Sequence, residues 1–122
     1  MTVHKQALGR WGEAMAAKYL SQKGYAIIER NFRTEYGEID LVAKIEQTVV
    51  FVEVKTRTTP SYGYPEEAIT AEKMEHMWAA AQAYIQAHSE AQTDWRIDVI
   101  AIINLGKNST PEITHFENVS IS

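Results

Sequence analysis

Apolar residues recur along this chain with two periods, and the switches between them mark out the elements. From Ala7 to Gln22, Leu8, Trp11, Met15 and Tyr19 fall at three- and four-residue steps, the spacing of one face of a helix. Gly24 follows where a C-terminal cap is expected. Gly9 and Gly12 weaken the helix interior and point either to close packing or to a frayed first turn. From Tyr25 the period shortens towards two. Residues 25–33, 38–45 and 48–56 alternate and are rich in β-branched residues, so they read as three strands. TPSYGYPEE, residues 59–67, has loop composition. Thr70 is a suitable N-cap for a second helix reaching about His88, with Met74, Met77, Trp78, Ala81, Tyr84 and Ile85 as its stripe. Residues 95–103 end in five apolar positions, which predicts a central strand covered on both faces. GKNSTP then turns the chain into a weaker edge strand over 112–119. The order α-β-β-β-α-β-β, without repeat or linker, predicts one α/β domain over residues 1–122, a mixed sheet flanked by two main helices.

Composition changes this picture little. The chain has 122 residues, 45% hydrophobic and 23% charged, as expected of one globular domain with one core. Without cysteine it has neither disulfides nor thiolate metal sites. The N-terminus lacks the apolar stretch of a signal peptide, and no apolar run approaches the ~20 residues of a membrane span, so a cytoplasmic location with no membrane partner is expected. Charge is more informative. The net value of −4 argues against a generally basic nucleic-acid binder. Residues 1–60 nevertheless carry nine Lys and Arg against seven Asp and Glu, whereas residues 61–122 carry three against nine. An acidic helix surface in the second half explains this as well as a functional basic face does.

Three carboxylates and an ammonium interrupt the second and third strands, in Gly37-Glu38-Ile39-Asp40 and in Phe51-Val52-Glu53-Val54-Lys55. If these strands pair around Glu46-Gln47, opposed residues have numbers summing to 93. Val42 then faces Phe51, Asp40 faces Glu53, and Glu38 faces Lys55. By alternation, Ile39, Leu41, Ala43 and Ile45 share one face with Val50, Val52 and Val54, while Glu38, Asp40, Glu53 and Lys55 cluster at one end of the other. Directly opposed side chains lie ~5 Å apart, where like charges are destabilising. Asp40 against Glu53 is thus a local fault unless positive charge lies between them. A hard divalent cation such as Mg²⁺ supplies it. The alternative is a solvated hairpin face on which Lys55 pairs with Glu38.

These residues also carry a resemblance. GxxGE at Gly9–Glu13, Arg30-Asn31, GEIDL from Gly37, FVEVKTR from Phe51, Lys73, and RIDVIAI from Arg96 follow one another as in the YraN family of small bacterial proteins, over about Gly9 to Ile103. YraN-type proteins look like the restriction-endonuclease-like, PD-(D/E)xK superfamily and are similar to archaeal Holliday-junction resolvases. The resemblance implies metal-dependent hydrolysis of DNA phosphodiester bonds with Asp40, Glu53 and Lys55 as the triad. It also implies that Glu13 joins Asp40 and Glu53 at Mg²⁺ or Mn²⁺. Ile39 stands where that superfamily's signature has proline. On the helical wheel Glu13 sits at the margin of the apolar stripe, where it is either a solvated flank or a carboxylate aimed at the hairpin.

Other residues carry less. Arg30, Arg33, Arg57 and Lys73 are candidate phosphate contacts, or plain surface charges. Arg96 and Asp98 share a strand face and read as a buried ion pair. Tyr36, Tyr62 and Tyr64 lie in loops, where packing is the first expectation and base stacking the second. His4, His76, His88 and His115 lack ligand spacing and read as structural or exposed. The functional expectation is a Mg²⁺-dependent endonuclease acting on DNA, branched DNA included, for which a homodimer would serve to cut two strands. The alternative is a non-catalytic nucleic-acid-binding or adaptor domain with a nuclease-like fold.

Overall fold

The computed structural model describes residues 3–58, 70–88, 94–104, 106 and 109–119. The elements follow the expected order: α1 (Val3–Gln22), β1 (Ala26–Thr34), β2 (Gly37–Ile45), β3 (Thr48–Arg57), α2 (Ala71–Ala87), β4 (Asp94–Ile103) and β5 (Glu112–Phe116). Helix α1 begins at Val3, four residues before the expected start at Ala7, since periodicity marks the packed turns and not the first ones. The predicted loop at 59–67, with Tyr62 and Tyr64, lies outside the described residues.

The strands form one sheet in the order β1-β2-β3-β4-β5. β3 and β4 run parallel and the other neighbours antiparallel, so the sheet is mixed. The two helices cover opposite faces. Ala16, Ala17 and Leu20 of α1 pack on Leu41, Ala43, Val50, Val52, Ile100 and Ile102. Met74, Met77, Ala80, Ala81 and Tyr84 of α2 pack on Val42, Val49, Phe51 and Ile97. Alternation along β3 and β4 thus feeds two cores, which is why β4 reads as nearly continuously apolar. This α/β arrangement is consistent with a nuclease-like fold. No helix among the described residues is long and apolar enough to cross a membrane.

The helices seat differently from their predicted stripes. The fully buried positions of α1 are small or aliphatic, and Trp11, Met15 and Tyr19 flank them half-buried. Small residues let the helix approach the sheet closely, and Gly12 marks the closest point, since a side chain there would run into Thr56. Gly24, at φ 96°, ends α1 in the left-handed region while Tyr25 N–H returns to the Leu20 carbonyl at 3.0 Å. On α2, Trp78 is 51% exposed and not core, because Ala80, Ala81 and Tyr84 occupy the buried arc. Tyr36, in the β1–β2 turn, is likewise exposed and does not pack.

Arg96 and Asp98 form the expected ion pair, Arg96 half-buried and Asp98 buried, with Arg96 Nε 3.0 Å from Asp98 Oδ1. Asp98 is fully buried and also meets His115 Nε2 at 2.7 Å and the Asn118 N–H at 2.9 Å. Arg96 donates to the Tyr25 hydroxyl as well, at 3.0 Å. These bonds pull the Asp98 carboxyl below its ordinary range although burial pushes it the other way. One carboxylate thereby ties β4, β5 and the chain after β5 together.

The two glycines of α1 are expected to respond oppositely to alanine. At Gly9 a Cβ meets nothing within 4 Å, so Gly9→Ala should raise stability by up to ~1 kcal/mol. At Gly12, turning the Thr56 side chain does not remove the conflict, because its Cβ would stand 3.1 Å away. Gly12→Ala should cost about 1–3 kcal/mol. Urea midpoints at unchanged m-value measure both.

Candidate functional site

The β2–β3 hairpin has the register expected of it. Pairs run from Ile45↔Thr48 through Val42↔Phe51 to Leu41↔Val52, every one summing to 93. The ladder stops there, one step before Asp40 would meet Glu53. Beyond that point the Val54 N–H donates to Asp40 Oδ2 at 2.8 Å. A side-chain oxygen has taken the place of a backbone carbonyl, so β2 is released from β3. The consequence is visible at Ile39, which packs in the α2-side core with Phe51 and Met77 and does not share a face with Leu41. Strict alternation therefore fails at Asp40.

Glu53 continues β3 into this opening and is 5% exposed. Two ammonium groups approach it. Lys55 Nζ lies 3.2 Å from Oε2, and Lys73 Nζ, from the first turn of α2, lies 3.7 Å from Oε1. The Lys73 N–H is fixed to the Thr70 hydroxyl at 3.0 Å, so the N-cap of α2 sets where this lysine starts. Lys55 thus pairs with Glu53 and not with Glu38. Glu38 instead pairs with Arg33 across β1–β2, at 2.8 Å, because those two residues are register partners.

Glu13 faces this region from α1. The Asn31 amide, oriented to donate, lies 3.2 Å from Glu13 Oε1 and 3.3 Å from Glu38 Oε1, and so bridges the two carboxylates. Asn31 sits at φ 53°, a left-handed conformation that asparagine tolerates better than most residues. The adjacent Arg30-Asn31 motif was the sequence signal for this residue, but nothing in it showed the bridge.

Electrostatics bind the acids into one unit. Burial, and then the Glu53 charge, push the Asp40 carboxyl up to about 7, against the Val54 hydrogen bond and Lys73, which lower it. Burial also raises Glu13, with Glu38 and Glu53 adding to the rise and the Asn31 bond opposing it. Each of the three acids is therefore felt by another, although among the described residues no three Asp, Glu or His side chains converge closely enough to enclose an ion. Two features still suit a cation. Glu53 Oε1 is buried without a hydrogen bond, and Asp40 is a half-buried carboxyl whose ionisation the Glu53 charge opposes. Magnesium commonly uses one or two carboxylates and keeps water in its other positions, so Asp40 and Glu53 suffice as a donor set.

The remaining basic candidates are dispersed. Arg30 is near enough to Glu13 to oppose the rise of its carboxyl. Arg33 pairs with Glu38 while its side chain stays largely exposed. Arg57, at the end of β3, donates to the Thr56 carbonyl at 3.1 Å. Of the four, only Lys73 touches Glu53.

Comparison with known proteins places these residues in a wider set. The family model described as "Uncharacterised protein family UPF0102" matches residues 12–102, a stretch that includes Glu13, Asp40, Glu53, Lys55 and Lys73 but not β5. A UPF0102 protein of Syntrophotalea carbinolica is 44% identical over 116 residues, covering 95% of this chain and 93% of that protein. One from Herpetosiphon aurantiacus is 42% identical over 125 residues, covering 99% of each. A third, from Chlorobium phaeobacteroides, is 48% identical over 96 residues, or 79% of this chain and 76% of that protein.

The raised Asp40 carboxyl makes stability depend on pH with a definite sign. Its folded pKa of about 7 lies above the ordinary 3.8, so the folded state holds this proton more tightly. The contribution is complete below about pH 4 and is lost as pH rises through 7. In metal-free buffer the wild type should lose stability relative to Asp40→Asn across that window, by no more than about 1.4 kcal/mol per pH unit. Chemical melts of both proteins at pH 5 and 7.5 measure it, and superimposable pH profiles would contradict the raised value.

Proposed function

From the premise that this chain belongs to the UPF0102 family, we propose that it is a divalent-metal-dependent endonuclease that hydrolyses DNA phosphodiester bonds, branched DNA included. The observation that carries the reading is the pairing of half-buried Asp40 with buried Glu53, with the Lys55 ammonium 3.2 Å from Glu53. Two adjacent, largely desolvated carboxylates with an ammonium beside them suit phosphoryl transfer, where positioning and charge stabilisation do most of the work. The likeness to the PD-(D/E)xK superfamily, carried by GEID and FVEVK, supports the same assignment.

Asp40 and Glu53 are the residues that would hold Mg²⁺ or Mn²⁺, with Glu13 completing the set or serving a second ion. A bound ion would supply positive charge against the charge that develops on the phosphate. Asp40 is held for this by the Val54 N–H and Glu53 by its place in β3. Lys55 donates to the attacking water or to a phosphate oxygen. The water oxygen forms the new bond to phosphorus and gives up a proton to solvent, the bond to the leaving sugar oxygen breaks, and that oxygen takes up a proton from solvent. Arg30, Arg33 and Arg57 contact flanking phosphates, and a homodimer places two such sites on two strands.

A second reading is a nucleic-acid-binding or adaptor domain without catalysis. It is favoured by the two lysines that already neutralise Glu53. Purified protein incubated with labelled linear, flapped and four-way DNA, with Mg²⁺ or Mn²⁺ and with chelator, separates the two. Metal-dependent cleavage is expected, and Asp40→Ala, Glu53→Ala and Lys55→Ala should each reduce it roughly a hundredfold or more. Binding without cleavage under every metal condition would favour the adaptor.

Binding itself should weaken steeply with salt. Arg30→Gln and Arg33→Gln should each lower the slope of log K against log salt by about 1. An unchanged slope in both variants would put the DNA on another face.

A further inference from the structure

Glu53 faces two ammonium groups that are held in different ways. Lys55 lies two residues along the same strand, so β3 fixes its approach to Oε2. Lys73 comes from another element. Its backbone is fixed by the Thr70 cap, but its side chain is 38% exposed and its ammonium stands 3.7 Å from Oε1, beyond hydrogen-bond reach. That oxygen is left buried with no hydrogen bond at all. A buried carboxylate oxygen facing a loosely held, partly exposed cation is an unusual arrangement for a finished ion pair, because the buried partner bears the desolvation cost without the full return.

We propose that Lys73 is a resident counter-ion of the acidic centre, which a divalent cation displaces from Glu53 Oε1, so that Lys73 sets the affinity of the centre for metal. The inference rests on the preceding reading that Asp40 and Glu53 hold a cation. With all five groups ionised, Glu13, Asp40 and Glu53 against Lys55 and Lys73 sum to −1, so the centre is nearly balanced before any metal arrives. A divalent ion entering with both ammoniums in place would leave +1 in a largely buried space. Release of the Lys73 ammonium to solvent brings this to zero, and the partly exposed side chain gives it a route out. Lys55 is the worse candidate for release, since its side chain is only 22% exposed and it is anchored beside Glu53 by the strand itself. The charge of Lys73 is also felt at Asp40, so it opposes a cation at both carboxylates.

The proposal separates from a purely structural lysine because removal of Lys73 acts in two opposite directions. Without metal, Lys73→Met removes the cation that faces Glu53 Oε1 and leaves the carboxylate with Lys55 alone, and the protein should melt at a lower temperature than the wild type. With metal, the same variant should bind Mn²⁺ about tenfold more tightly, a coupling of ordinary size between two competing ligands. Isothermal titration of Mn²⁺ into the whole purified protein reads the affinity directly, without any activity. Lys73→Gln should shift affinity in the same direction, and Lys73→Arg should stay near the wild type. Asp40→Asn should bind weakly or not at all. If the wild type binds Mn²⁺ and Asp40→Asn does not, yet Lys73→Met and Lys73→Gln bind no more tightly than the wild type, Lys73 does not compete and the inference is overturned while the metal reading stands. If the wild type itself takes up no Mn²⁺ at millimolar concentration, the metal reading fails and the inference with it.

Discussion

The hydrogen bond from the Val54 N–H to the Asp40 carboxylate governs the rest of this site. In an unbroken antiparallel ladder that N–H would be satisfied by the neighbouring strand's backbone, and β2 would remain tied to β3 to its end. Here a side-chain oxygen satisfies it at 2.8 Å. The donor is not orphaned, so the strands can part after Leu41↔Val52 at little cost. Parting turns Ile39 into the α2-side core and leaves Asp40 half-buried beside Glu53. The same bond that releases the strand also pins the carboxylate.

Two carboxylates so close together, Glu53 buried and Asp40 half-buried, demand positive charge, and each helix brings a charged group to them, an ammonium from α2 and a further carboxylate from α1. α2 begins at the Thr70 cap, and three residues later Lys73 reaches Glu53. α1 descends on the sheet at Gly12, where only hydrogen fits against Thr56, and the next residue is Glu13. In each case the feature that seats the helix stands one to three residues from the charged group it delivers. On the neighbouring strand β4 a second buried carboxylate, Asp98, is treated differently. It has partners in Arg96, His115 and the Asn118 N–H, and its carboxyl is lowered and not raised. A fully partnered acid braces a fold, whereas one whose neighbour is another acid is poised to take a proton or a cation.

Much of this was legible from residues near one another in sequence. The hairpin register followed from a two-residue turn and alternation, and five observed pairs obey it. The pairing of Arg96 with Asp98 followed from their shared strand face. What alternation could not show is where a ladder ends, because that depends on whether a side chain outcompetes a backbone carbonyl for one N–H. Hence the misassigned face of Ile39, and hence Glu38 bonded to Arg33 and not to Lys55. Trp78 was misplaced for a related reason. A helical stripe is wide enough to admit several arcs, and the sheet beneath chose the one with Ala80 and Ala81.

The sequence by itself determined the element order, the two-faced sheet, the chain stretches that carry Asp40, Glu53 and Lys55, and the family, since each of these rests on local period or on residues in linear order. Tertiary structure alone decided which charged groups meet. Lys73 reaches Glu53 from 20 residues away in the chain, Asn31 bridges Glu13 and Glu38, and His115 closes on Asp98. No periodicity encodes such contacts. They arise because apolar burial fixes how helices and strands lie against one another, and the polar groups then bond to whatever that packing brings within reach.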